Sequence, residues 1–153
     1  MSELYKVDWS ELINDCKDLA KKIGSCDSIV ALGRGGLVPG VILSHMLDTN
    51  LVNFGVKSYN KDNTAGEVRA HQTPGLVFNS DYREKRVVIF DDLSDKGKTL
   101  EYVKDYFDQC GFTNYKFATL YIKKSTKFTP NYFVKEFDDN IWLDFPWESS
   151  KLD

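Results

Sequence analysis

Four apolar residues in a row, Val87-Val88-Ile89-Phe90, run straight into two adjacent acids, Asp91-Asp92. An unbroken apolar run of this length reads as a strand covered on both faces, as in a parallel sheet packed between helices. The acids lead into Leu93-Ser94-Asp95-Lys96-Gly97-Lys98-Thr99. Beyond them Leu100, Val103, Tyr106 and Phe107 recur at helical spacing, and Gly111 supplies a stop. Strand, short loop and helix start therefore follow one another within about two dozen residues. Backbone N–H groups at a helix start make an anion site, and phosphate is its usual guest. The two carboxylates would repel a phosphate that they faced, so they are expected to face hydroxyls or a divalent cation. A ribose 5-phosphate offers both ends of that arrangement. The competing reading, a capped helix start with solvated acids, leaves the apolar approach to Asp91 and Asp92 without a purpose.

The same pattern occurs earlier in the chain. Ser28–Leu32 is an apolar run that ends in Gly33-Arg34-Gly35-Gly36, with Pro39 placed where a helix starts and Val41, Ile42 and Leu43 continuing toward Leu47. Glycines let backbone approach a ligand closely, and Arg34 puts a fixed positive charge among them. Upstream, Asp8 and Glu11 form a capping box ahead of Leu12, Cys16, Leu19 and Ile23, and Gly24 ends that helix. Leu51–Tyr59 and Phe117–Ile122 read as further strands, and Tyr132–Phe137 as an edge strand. Residues 60–74 are polar, have no pattern of their own and are expected to be a loop, of a length that suggests a lid. Arg69 and His71 fall in that loop as solvated side chains, and His45 is expected to be packed within its apolar helix.

Alternation of strand and helix predicts an α/β fold: a single domain over 1–153, with a mainly parallel twisted sheet flanked by helices. Ligands of such sheets bind beyond the carboxyl ends of the strands, where the loops at 33–36 and 91–99 lie. The 20 Lys and Arg against 23 Asp and Glu give a net charge of −3, which argues against a nucleic-acid partner. Three cysteines, two histidines and no C-x-x-C pair argue against a disulfide framework or a zinc site, and point to a reducing, cytoplasmic setting. No apolar run approaches the roughly 18 residues of a membrane helix, and Met1–Lys17 has no apolar signal-peptide core. No integral membrane segment is expected.

The stretch Val87–Leu100 resembles the phosphoribosyl pyrophosphate signature of type I phosphoribosyltransferases. The resemblance implies that Asp91 and Asp92 contact the ribose 2′- and 3′-hydroxyls, and that Asp95, Lys96, Gly97, Lys98 and Thr99 cradle the 5′-phosphate. Lys96 stands where the family usually has Thr. By the same likeness Arg34, Gly35 and Gly36 form the pyrophosphate loop, and Ser58 and Tyr59 open a flexible lid over about 58–75. The tail Asp139–Glu148 resembles the hood of bacterial xanthine-guanine phosphoribosyltransferases and related archaeal purine enzymes; here the hood covers about 132–150. Trp142 would then stack on the purine, the backbone at Leu143 would read the base edge, and Lys123, next to Lys124, would donate to the oxygen at position 6. Asp95 would face N7 as general base. Mg²⁺ is the implied cofactor, held by Asp92 with substrate oxygens. The implied activity is transfer of phosphoribose from phosphoribosyl pyrophosphate to a 6-oxopurine (guanine, xanthine or hypoxanthine) by a homodimer or homotetramer. The alternative is a regulatory protein of the same fold that binds phosphoribosyl pyrophosphate or nucleotides without turnover. A phospho-acceptor receiver domain fits less well, because its acidic pair should follow the first strand.

Overall fold

The computed structural model describes residues 3–59, 67–75 and 84–148. In chain order these form β1 (Glu3–Lys6), α1 (Trp9–Ile23), β2 (Ser28–Gly33), α2 (Leu37–Leu47), β3 (Asn50–Tyr59) and β4 (Glu67–Gln72). They continue with β5 (Val87–Ser94), α3 (Lys98–Gln109), β6 (Tyr115–Lys123), β7 (Lys135–Phe137), β8 (Ile141–Asp144) and a 3₁₀ turn over Pro146–Glu148. Among the described residues the main sheet has the order β4-β3-β2-β5-β6-β7. Every neighbouring pair is parallel except β3 with β4. This is the α/β architecture expected from the alternating pattern.

The apolar strands are buried on both faces, and successive residues divide between two cores. Ile29, Val88 and Phe90 join Leu12, Leu19 and Leu43 beneath α1 and α2. Val30, Leu32, Val87 and Ile89 join Leu100, Val103 and Phe107 beneath α3. That division explains why β2 and β5 read as continuous apolar runs and do not alternate.

Helix α1 starts as expected: the Asp8 carboxylate accepts the Glu11 N–H at 2.8 Å. Glu11 itself is drawn elsewhere, accepting from the Tyr5 hydroxyl at 2.7 Å and from Lys135 Nζ at 2.9 Å. The buried Asp15 accepts from the Tyr121 hydroxyl at 2.5 Å and from Lys135 at 3.0 Å. These bonds dock the first strand of the chain, and whatever pairs with it, onto α1. What pairs with it is β8, in parallel, with Leu4 opposite Trp142 and Tyr5 opposite Leu143. The two ends of the chain thus build one small sheet, which sequence pattern did not reveal.

Several boundaries differ from expectation. Strand β5 continues through the acidic pair to Ser94, and α2 begins at Leu37, two residues ahead of Pro39, which the first helical turn tolerates because its N–H is not needed there. Part of the stretch read as a patternless loop is strand β4, paired antiparallel with the end of β3; its residues are too polar to show a strand period. His45 is exposed and not packed: α2 is apolar nearly all round, so periodicity could not say which side faces out. The expected edge strand Tyr132–Phe137 is present but shorter: Lys135–Phe137 form β7, paired with β6 at the edge of the main sheet. Residues 60–66 of the expected lid and 149–150 of the expected hood lie outside the described residues.

Candidate active site

Strands β2 and β5 are parallel neighbours, and α2 and α3 rise from their carboxyl ends. The chain runs outward from β2 to β3 on one side and from β5 to β6 and β7 on the other, so the crevice between them is the topological switch point. Both helices start on a glycine, Gly36 for α2 and Gly97 for α3, and neither N-terminus has a side-chain cap. Helix α1, remote from this crevice, carries its own capping aspartate. The first N–H groups of α3 are therefore left for a ligand. At α2 the Gly36 and Leu37 N–H groups donate to the Leu32 and Arg34 carbonyls at 2.9 and 3.0 Å and Pro39 has none, so fewer donors remain there. The helix dipoles favour an anion at both.

The glycines here answer to close packing. A Cβ on Gly36 would lie 2.8 Å from the carbonyl oxygen of Phe90 and 3.1 Å from that of Leu32. A Cβ on Gly35 would lie 2.7 Å from Asp92 Oδ2. The loop 33–36 is thus laid directly over the acidic end of β5. Gly97 has φ +93° and packs against backbone of Phe128, so both its conformation and its surroundings exclude a side chain. Arg34 is exposed, and Gly33, Arg34 and Gly35 share a cleft of about 430 Å³ with Val56, Lys57, Ser58 and His71. The start of the expected lid therefore faces the 33–36 loop. Arg69, in β4, is ion-paired with Glu67 at 3.0 Å.

Asp91 and Asp92 are half-buried, and Asp91 Oδ1 accepts the N–H of Asp92 at 2.8 Å. Burial raises both carboxyls, and each acid sits within reach of more negative charge. Asp91 is pushed well above the usual carboxylate range by burial and then by the charge of Asp92. Burial lifts Asp92 to about 6, against the hydrogen bond from Asp91, with Glu148 adding to the rise. Glu148 is raised too, by burial and then by Asp144, while Arg34 opposes the shift. The 3₁₀ turn at the end of the tail thus brings a carboxylate into the field of the acidic pair. Sequence reasoning missed Glu148, since nothing local marks a residue so far from Asp92 in the chain. Asp95, Lys96 and Lys98 are exposed at the loop, and Thr99 is half-buried in the first turn of α3.

The residues read as base contacts meet around β8. Lys123, 5% exposed at the end of β6, donates from Nζ to the carbonyl of Ile141. Its neighbour Lys124 is exposed and pairs with Asp138 at 2.6 Å. Trp142 is 66% exposed, while Leu143, next along the strand, is buried. The structure therefore separates the two lysines: Lys123 points into the hood beside Trp142, and Lys124 points away.

Comparison with known proteins agrees with this geometry. The Phosphoribosyl transferase domain pattern matches residues 7–151. The chain belongs to the phosphoribosyltransferase family. It is similar to the xanthine-guanine phosphoribosyltransferase of Cereibacter sphaeroides, with 31% identity over 94% of this chain and 86% of that one. The crystal structure of a purine phosphoribosyltransferase from Pyrococcus horikoshii superposes with a TM-score of 0.82 at 33% identity, covering 98% of this chain and 97% of that one. A xanthine-guanine-hypoxanthine phosphoribosyltransferase of Helicobacter pylori shares the fold, with a TM-score of 0.78 at 23% identity over 95% of this chain and 94% of that one. As a member of this family the chain is a glycosyltransferase. No helix among the described residues is long and apolar enough to cross a membrane.

Proposed function

We propose that the chain is a purine-salvage enzyme that transfers the 5-phosphoribosyl group of phosphoribosyl pyrophosphate to a 6-oxopurine, releasing pyrophosphate. The observation that carries this reading is the pair of uncapped helix N-termini on adjacent parallel strands, with a half-buried acidic pair between them. Two anion sites flanking a diol site match a sugar that carries phosphate at one end and pyrophosphate at the other. The named relatives are purine enzymes, which supports the choice of base.

In this reading Gly97, Lys98 and Thr99 hold the 5′-phosphate through backbone N–H groups, with Asp95 and Lys96 completing the loop. Arg34, Gly35 and Gly36 hold the pyrophosphate. Asp91 and Asp92 hold the ribose hydroxyls. Among the described residues there is no cluster of three or more metal-ligating side chains. Two acids without further ligands suit a Mg²⁺ ion that shares its shell with substrate oxygens, as Mg²⁺ usually does with phosphates. Asp92 would hold it, and the ion would neutralise charge on the departing pyrophosphate. Trp142 stacks on the base, the Leu143 backbone reads its edge, and Lys123 donates to the 6-oxo group. Asp95, exposed at the loop, takes the proton from the base. The ribbon opened by Ser58 and Tyr59 closes the site against water.

We place the enzyme in the cytoplasm as a homodimer or homotetramer. Its free cysteines suit a reducing compartment, and Leu37 and Val41, one turn apart, give α2 an exposed apolar side for a second copy. The test is a panel of purine and pyrimidine bases with phosphoribosyl pyrophosphate and Mg²⁺, following nucleotide formation. Turnover of guanine, xanthine or hypoxanthine, and of no pyrimidine, is the expected result. Tight binding of phosphoribosyl pyrophosphate with no turnover of any base would favour a regulatory protein instead.

A further inference from the structure

The turn that follows Lys123 packs against the loop read above as the 5′-phosphate cradle. Ser94, the last residue of β5, is 1% exposed. Its Oγ lies 2.8 Å from the carbonyl oxygen of Phe128 and 2.9 Å from Thr126 Oγ1. The N–H of Phe128 lies 3.3 Å from the same Thr126 Oγ1. Counting protons closes these contacts into a ring. The Thr126 hydroxyl also lies 3.3 Å from the Phe128 carbonyl. With Ser94 donating to that carbonyl at 2.8 Å, the arrangement that uses the shorter contacts has Phe128 N–H donating to Thr126 and Thr126 donating to Ser94. Each hydroxyl then gives one bond and accepts one, and the shortest contact is a full O–H···O bond.

Phe128 also covers the other end of the loop. A Cβ on Gly97 would lie 2.8 Å from Phe128 N and 2.7 Å from Phe128 Cβ. Between the two ends, Lys127 N–H donates to the Lys96 carbonyl at 3.3 Å. Three consecutive residues therefore grip the loop at its start, middle and end. The segment is itself held from behind: the Phe128 ring meets Phe117 edge-on at 4.8 Å, and Phe117 belongs to the core beneath α3.

We propose that Thr126 is a positioning residue for the phosphate loop, acting through Ser94 and Phe128 without touching substrate. A phosphate cradle made of backbone N–H groups is effective only if those groups are aimed before the ligand arrives. Asp95 and Lys96 are exposed, so little else fixes this stretch. The ring supplies the fixing from a neighbouring turn. This inference rests on the reading of 95–99 as the 5′-phosphate site, and it assigns to that site a support which lies outside its motif.

The test compares Thr126→Val, which keeps the shape and removes the hydroxyl, with Thr126→Ser, which keeps the hydroxyl. Binding of guanosine 5′-monophosphate and of inorganic pyrophosphate with Mg²⁺ is measured for each, together with KM for phosphoribosyl pyrophosphate. Thr126→Val should weaken the monophosphate and raise that KM by about 5- to 10-fold, the effect of one lost buried hydrogen bond. Pyrophosphate, held by the 33–36 loop, should bind as before, and Thr126→Ser should behave like the parent. Ser94→Ala should reproduce the loss, and the double variant should be no worse than either single one, because the ring is broken only once. Parental monophosphate affinity in Thr126→Val, equal loss of both ligands, or additive losses would each overturn the proposal. Amide exchange in the ligand-free protein gives an independent reading: the Lys127 N–H should exchange faster in Thr126→Val, and unchanged protection would also overturn it. If the parent binds no nucleoside monophosphate at all, the phosphate-loop reading fails, while the exchange result still decides whether the ring holds the loop.

Discussion

The phosphate half and the base half of this site are built in opposite ways. The phosphate half consists of two strand–loop–helix units on adjacent strands, and each unit is continuous in sequence. The base half gathers Lys123 from the end of β6, Trp142 and Leu143 from β8, and β1 from the start of the chain. Local units rely on backbone donors, which any sequence supplies once the helix start and glycines are in place. The gathered half relies on particular side chains held by distant partners, such as Lys123 on the Ile141 carbonyl. Substitutions in the first half should therefore act on chemistry and on every phosphoribosyl ligand alike, and substitutions in the second should act on the choice of base.

The largest effect is expected where the two halves meet. Asp95→Asn should lower kcat by about 10²- to 10⁴-fold, the usual contribution of a general acid–base group. Its affinity for a nucleoside monophosphate should stay near the parent's, because the backbone donors of the loop remain. Steady-state rates and monophosphate binding decide this, and a kcat within a few-fold of the parent removes Asp95 from the chemistry.

Lys123→Met comes next and belongs wholly to the base half. Only an oxo group at position 6 accepts from an ammonium, so kcat/KM for guanine, xanthine and hypoxanthine should drop by roughly 100-fold, the upper range for a hydrogen bond to a charged group. The gap to adenine should narrow, since its amino group no longer meets a cation. The same change removes the bond to the Ile141 carbonyl, so β8 should exchange its amides faster. An unchanged ratio of oxopurine to adenine use would take the selecting role away from Lys123.

Trp142→Ala should cost on the order of 1–2 kcal/mol in base affinity, equally for every accepted purine, because stacking uses a π-face that all bases share. With the ring 66% exposed, its loss should leave Tm nearly unchanged. A base-dependent loss would mean that Trp142 reads more than a flat surface.

The same division decides what the sequence made legible. The acidic pair, the glycine loops and the strands that feed them could be read directly, because close approach and helix starts leave local signatures. The fold class followed from β2 and β5, whose unbroken apolar runs require cover on both faces. The small sheet of β1 and β8 was not legible: Glu3–Lys6 and Ile141–Asp144 are short and pair only across the whole chain. Strand β4 was hidden by its polar residues on an exposed edge, and the exposure of His45 by a helix apolar all round. Glu148 and the ring of Ser94, Thr126 and Phe128 depend on tertiary packing, for which no spacing rule exists.

The smallest effect tests whether the phosphate half carries a stability cost that the base half does not. Burial lifts Asp92 to about 6, with Glu148 adding to the shift, whereas the ordinary aspartate value is about 3.9. Between those two values the folded chain keeps a proton that the unfolded chain releases. By linkage, stability from this group is greatest below about pH 4, declines as pH rises toward 6, and is level above that. Asparagine cannot ionise, so Asp92→Asn should remove the cost where it is largest. Its Tm should exceed the parent's by about 2–4 °C at pH 8, the response of a domain this size to roughly 1 kcal/mol. Near pH 4, where Asp92 is protonated anyway, the two melting points should converge. The variant should at the same time bind phosphoribosyl pyrophosphate more weakly, since a ribose hydroxyl loses its acceptor. Thermal melts of both proteins from pH 4 to pH 8 decide the matter. If Asp92→Asn melts below the parent at pH 8, the carboxylate stabilises the free protein, and the acidic end of β5 is not held in place against its own charge.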